Sequence, residues 1–232
     1  MENKFKHLLA PGFIGSMEIP NRIVMAPIGS LNGDSSGHVT ERSIAYYSER
    51  AKGGTGLIVV EATYTDNIFA KGEEGQLGLA DNSQTAGMAL LATAIHDHYG
   101  TKCAIQLCHI GEQLGMADHN ESLGPSDMPK LLGPGLPIRG LTVAEIKEIV
   151  QTFGVAAWRA KIAGFDAVEV HLANDHLLQM FINPIYNHRT DEYGGSLENR
   201  MRITMEIIEA IQQRCGKSFP ILARLCADDY LQ

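Results

Sequence analysis

Five short apolar runs, each separated from the next by a longer stretch of helical periodicity, restrict the fold of this chain more than any other feature. They are Ile23–Met25, Leu57–Glu61, Cys103–Leu107, Ala167–His171 and Ile221–Leu225. A run that stays apolar at successive positions, as in Leu57-Ile58-Val59-Val60, has to be covered on both faces. Strands alternating with helices imply parallel βαβ units, in which the helices supply that cover.

The intervening segments carry the matching signals. Thr40–Lys52 reads as a helix stopped by Gly53-Gly54. Ser83–Tyr99 places Met88, Leu91, Ile95 and Tyr99 on one helical face. Thr142 and Glu145 form a capping box, the start of a helix whose apolar face runs through Ile146, Ile149, Val150, Phe153 and Ala157. Ser196 caps a last long helix with the face Met201, Thr204, Met205, Ile208 and Ile211, and Gly216 ends it. Gly12–Ile19 reads as a small hairpin turning at Gly15-Ser16, an element suited to plugging the bottom of a barrel. Two long loops, Tyr64–Leu79 and His109–Leu141, follow strands, and a parallel α/β barrel builds its active site on that side. No internal repeat and no domain boundary is evident, so residues 1–232 read as one domain.

Composition narrows the function. At 44% hydrophobic and 20% charged residues, the chain is an ordinary globular protein able to bury a sizeable core. A net charge of −8 argues against nucleic acid as the main partner, although a local Arg or a helix N-terminus can still hold one phosphate. No run approaches the roughly 18 apolar residues of a membrane span, and Met1 to His7 does not read as a signal peptide, so a cytoplasmic protein is expected. The cysteines at 103, 108, 215 and 226 form no C-x-x-C pair, and no metal site is expected.

Two stretches identify a family. One is Asn21-Arg22-Ile23-Val24-Met25-Ala26-Pro27. The more specific is Gly164-Phe165-Asp166-Ala167-Val168-Glu169-Val170-His171, continued by Asn183-Pro184 and by Asn187-His188-Arg189-Thr190-Asp191-Glu192-Tyr193-Gly194-Gly195-Ser196-Leu197-Glu198-Asn199-Arg200. Between them lies Gln106-Leu107-Cys108-His109. Over its whole length the chain resembles the Old Yellow Enzyme, or NADH:flavin oxidoreductase, family, nearer to its dienoyl-CoA reductase and enoate reductase branch. The resemblance implies a TIM (β/α)8 barrel of the FMN-linked oxidoreductase type. It also implies a flavoprotein ene-reductase that takes hydride from NAD(P)H and reduces the activated C=C bond of a small unsaturated substrate.

Carried over by position, Pro27, Ile28 and Gly29 would line the isoalloxazine ring, with Ala62 beside it. Gln106 would bond the pyrimidine edge, and Arg224 would face N1 and O2, where a reduced flavin carries negative charge. His171 and Asn174 would donate hydrogen bonds to the substrate's activating group. His109 could line the substrate side or simply bond a loop. Asp191, Tyr193 and Arg200 read as scaffold.

The chain also departs from the family. Where the family has Gly-Tyr, with the tyrosine as proton donor, this sequence has Asp175-His176. The proton would then come from His176 or from water, and Asp175 would either hold the imidazole charged or accommodate a positive-φ turn. Gly29 replaces a polar side chain. About five of the eight strand–helix units are present, which leads us to expect a fragment, a truncated remnant, or a barrel completed by a further chain or a homo-oligomer. A 4Fe-4S cluster would belong only to a missing C-terminal region. Competing readings are amine dehydrogenase or demethylase chemistry, and an inactive remnant.

Overall fold

The computed structural model describes residues 4–111, 122–129 and 136–228. All five expected strands form, and they make one parallel sheet. Their full extents are β3 (Val24–Met25), β4 (Leu57–Tyr64), β5 (Lys102–Cys108), β8 (Ala167–Leu172) and β9 (Ile221–Leu225), hydrogen-bonded in that order. Among the described residues, β3 and β9 are the sheet's two edges. This is the curved parallel half of an α/β barrel, as expected.

Each face of the sheet has its own core. Ile58, Val60, Cys103, Ile105, Leu107, Val168 and Val170 point outward into the main hydrophobic cluster. They are covered by α1 (Glu41–Lys52), α2 (Thr85–His96), α3 (Val143–Ile162) and α6 (Arg202–Cys215). On the inner face Leu57, Val59, Ala104 and Ala167 form a second cluster. Two strands close its bottom, β1 (Gly12–Ile14) and β2 (Met17–Ile19), paired antiparallel. Met17 and Ile19 of this hairpin pack directly onto the inner residues, so the plug is real.

The helix starts follow their capping chemistry. Thr40 with Ser43, and Thr142 with Glu145, each satisfy two orphan backbone donors reciprocally. The helix expected from Ser83 begins instead with a short 3-10 turn, Asn82–Gln84, because Asp81 and Gln84 form a capping box there. Met88, Leu91 and Ile95 are buried as expected, but Tyr99 lies beyond the helix end at a φ of 53° and is 77% exposed. The face of the last helix is also shifted. Ser196 caps only a four-residue turn, α5 (Leu197–Arg200), and α6 starts afresh after Met201. The buried stripe is Ile203, Thr204, Ile207, Ala210, Ile211 and Cys215, while Met205 is half exposed. The break at Met201 resets the helical phase. Helices α3 and α6 approach closely at Gly154, where a Cβ would meet that of Ala210 at 3.2 Å.

Sequence periodicity missed three short elements. Helix α4 (Leu177–Ile182) follows β8 after a short turn. Strands β6 (Ser122–Gly124) and β7 (Ile138–Gly140) pair in parallel inside the expected loop His109–Leu141, of which residues 112–121 and 130–135 lie outside the described residues. Of the N-terminal segment read as Met1 to His7, residues 1–3 also lie outside them. No described helix is long and apolar enough to cross a membrane.

The plug provides a direct stability test. Ile19 is 5% exposed and packs against the inner strand residues. Ile19→Ala is expected to cost about 2–5 kcal/mol through lost burial and a residual cavity. Chemical denaturation would show this as a lower midpoint with an unchanged m-value. An unchanged midpoint would mean that the hairpin contributes nothing to the core.

Candidate active site

The inner face of the sheet changes character along the strands. Parallel neighbours in register share a face, so Val59, Ala104 and Ala167 form one aliphatic layer. One rung further lie Gln106, Glu169 and Leu222, and above them His171 beside Arg224. Buried polar side chains have to satisfy one another or face a ligand. Gln106 does the first, its Nε2 donating to Glu169 Oε1 at 2.7 Å. Burial pushes the Glu169 carboxyl above the usual carboxylate range, while Gln106 and the charge of Arg224 pull the other way.

Glu61 plays a similar part within β4, where the register of the ladder shifts after Val60. Its fully buried carboxylate accepts from the backbone N–H of Ser30 and, at 3.3 Å, from that of Leu31. It thereby ties the segment after β3 to the neighbouring strand. Burial raises its pKa, although these donors oppose the shift. Gln76 does the same work from the Tyr64–Leu79 loop, accepting from Gly72 N–H at 2.7 Å and donating to the Ala62 carbonyl at 2.9 Å.

Above these layers lies a cavity of about 530 Å³. Its lining includes all nine residues singled out from the sequence: Pro27, Ile28, Gly29, Ala62, Gln106, His171, Asn174, His176 and Arg224. Leu31, Gly72, Glu73, Gln76, Ile110 and Asp175 complete the wall. Of these, only Asp175 was considered from the sequence; the others were missed, and the loop contributing Gly72, Glu73 and Gln76 has no periodicity. Its length alone marked it as a candidate.

The turn after β8 explains one departure from the family pattern. Asn174 and Asp175 have φ values of 63° and 56°, the left-handed region where glycine is usual and Asn and Asp are the best-tolerated substitutes. Asp175 N–H is held at 2.8 Å by Gln179 Oε1. So Asp175 makes the turn, and Asn174 is presented to the cavity.

The two imidazoles are packed together, with ring centroids 4.5 Å apart. His171 is 4% exposed, and its Nδ1 has no partner among the described residues. Burial, with the charges of His176 and Arg224, pushes its pKa down to about 3. His176 is pushed down to about 4, mainly by burial and despite its contact with the Ile110 carbonyl. That contact, 3.4 Å from Nδ1, requires Nδ1–H to be the donor, because a carbonyl only accepts. The Nε2 of His176 is then a bare lone pair. His109, in contrast, does not line the cavity. Its Nδ1 accepts from Gly111 N–H at 3.3 Å, and its Nε2 lies 3.8 Å from the Asp66 carboxylate, so it joins two loops.

The scaffold residues also sort out. The Arg189 guanidinium pairs with Asp191 and bonds the Pro125 carbonyl, while Asn187 bridges the Phe181 and Tyr193 carbonyls. Tyr193 is fully buried, and Arg200 holds the Ile182 carbonyl at 2.6 Å. These contacts fix the segment that follows α4.

The cavity suits a flat heteroaromatic ring bearing an imide edge. Gln106 is pinned at one amide hydrogen, which leaves its carbonyl and second N–H available. Arg224 makes one long contact, 3.4 Å to the Pro27 carbonyl, so most of its guanidinium donors have no partner among the described residues. Pro27, Ile28 and Ala62 offer the apolar wall.

Comparison with known proteins agrees. Residues 7–232 match the NADH:flavin oxidoreductase / NADH oxidase family. The chain is 41% identical to an NADH oxidase of Thermoanaerobacter brockii over 98% of its own length and 35% of the relative's. It is 38% identical to a cinnamate reductase of Clostridium sporogenes, over 100% of this chain and 36% of that protein. The solved structure of an Old Yellow Enzyme homologue from Zymomonas mobilis superposes with a TM-score of 0.84 at 30% identity, covering 94% of this chain and 62% of that one. The chain thus spans about a third of the length of these two curated relatives. Strands, cavity and sequence motifs together place it in the NADH:flavin oxidoreductase / NADH oxidase family, the family of Old Yellow Enzyme.

Proposed function

We propose that this chain carries the flavin-binding and substrate-polarising part of an FMN-dependent ene-reductase acting on a small molecule with a C=C bond conjugated to an electron-withdrawing group. The supporting observation is the convergence of Gln106, Arg224, His171 and Asn174 on one cavity. FMN, once reduced by NAD(P)H, would supply the hydride. Gln106 and Arg224 would hold the pyrimidine edge of the flavin, the amide by paired hydrogen bonds and the guanidinium by countering negative charge near N1. Glu169 keeps the Gln106 amide in a single orientation.

His171 and Asn174 would donate to the activating group of the substrate. As the β-carbon accepts hydride, negative charge grows on that group, and fixed donors stabilise it more than they stabilise the ground state. A neutral imidazole suits this role, because it donates a hydrogen bond without transferring its proton. The tautomer of His176 alters the role expected for it. With Nδ1–H committed to Ile110 and Nε2 bare, His176 would accept from a water molecule and orient it; that water would give its other proton to the α-carbon, and the hydroxide left would be reprotonated from solvent. The cinnamate reductase relative favours this chemistry over amine oxidation.

Two measurements test the reading. His171→Ala should lower kcat/KM for alkene reduction by about 100-fold or more, the scale of losing an oxyanion donor, while flavin stays bound. Unchanged turnover with bound flavin would sink the assignment. The imidazoles also have a pH signature. Both folded-state values, about 3 and about 4, lie below the ordinary histidine value of about 6.5. The unfolded chain therefore binds more protons, and stability should fall as pH drops from about 6.5 towards 4. Over pH 5.5 to 8, on the same grounds, turnover should show no ionisation from this pair; a limb near pH 6.5 abolished by His176→Gln would contradict this.

A further inference from the structure

Cys108 is invisible to any reading of sequence spacing as a partner of the two imidazoles. It ends β5, more than 60 residues before His171. The sheet register nonetheless brings the strand ends together, and the Cys108 thiol and one nitrogen each of His171 and His176 all lie within 4.8 Å of one another. We propose that these three side chains form a binding site for one soft divalent cation of the zinc type, inside the cavity assigned above to the substrate.

Three features support the site. A thiolate with two imidazoles is a donor set that selects zinc-like ions over magnesium or calcium. The donors are also uncommitted in the right way. Cys108 is fully buried, and His171 Nδ1 is buried with no partner among the described residues. His176 donates Nδ1–H to the Ile110 carbonyl, the outer contact that usually orients a metal-ligating histidine and leaves Nε2 for the metal. Finally, both imidazoles line the cavity, so an ion can enter and a fourth, open position would face the substrate space.

A second cluster makes the contrast plain. His96, Cys103 and Asp166 are equally close. There, however, the carboxylate already accepts from His96 at 2.7 Å, from Lys102 at 3.0 Å and from Cys103 N–H at 2.9 Å. That network is closed and holds a cation of its own. The upper cluster has the Arg224 guanidinium as a neighbour, but its hydrogen bond goes to the Pro27 carbonyl rather than to any of the three donor atoms.

Binding would form a sulfur–metal bond and release the thiol proton to solvent, so affinity should rise with pH. Occupation would remove the His171 donor from the substrate. This inhibition rests on the role given to His171 above, but the binding does not.

The test uses Cd2+ as the probe, in the protein carrying Cys226→Ser to remove the exposed thiol. Thiolate-to-cadmium charge-transfer absorption should appear at one equivalent, with proton release. Adding Cys108→Ser should abolish the band. His176→Ala, which keeps the thiol, should weaken binding at least tenfold. A band that survives Cys108→Ser, or that is lost only with His96→Ala, would overturn the site. Because binding is read without turnover, a failed ene-reductase assay leaves this result interpretable.

Discussion

Two carboxylates, Glu61 and Glu169, sit on the inner surface of a parallel sheet whose lower inner residues are aliphatic, and the upper half of the molecule is built around satisfying them. Each is buried by the strand that carries it. Isolated burial of a charge is costly enough that partners must be found or the charge given up. Glu169 takes the amide of Gln106. Glu61 takes backbone N–H groups from the segment after β3. One carboxylate therefore orients the Gln106 side chain and the other orients the segment carrying Leu31, and Gln106 and Leu31 both line the same cavity. The apolar floor below them, sealed by the hairpin, keeps water out and makes those bonds strong.

The same floor accounts for the electrostatics above it. His171 and His176 sit where water is scarce and a guanidinium is near, and both influences favour the neutral imidazole. A neutral pair can donate to a developing oxyanion or ligate a metal through a lone pair. Protonated imidazoles would be poor at the second and would repel a cation. The turn at Asn174 and Asp175 makes the pairing possible, because two consecutive left-handed residues bring α4 back over the end of β8.

Much of this was legible in the sequence, for identifiable reasons. Runs such as Leu57–Val60 are apolar at every position, and only a strand covered on both faces tolerates that. The capping boxes at Thr40 and Thr142 are local chemistry, formed by residues three positions apart. Elements failed where local rules met competition. Tyr99 continued the helical period but fell past the helix end, and α6 changed phase at a break that periodicity cannot detect. Strands β6 and β7 are three residues each, too short to show any period.

The candidate site divides in the same way. The identities of Gln106, His171, Asn174, His176 and Arg224 were readable because the motifs place them at strand ends or just beyond, and in a parallel barrel those ends share one face. The sequence alone therefore determined the α/β class, the strands and a set of residues that the fold gathers around one cavity. Tertiary structure alone decided the pairings: Gln106 with Glu169, Glu61 with the segment after β3, His109 away from the cavity, and Cys108 beside the two imidazoles. The physical reason is that strand order and register are long-range properties. They set which side chains meet across the sheet, and no local spacing encodes distances between residues that the chain keeps tens of positions apart.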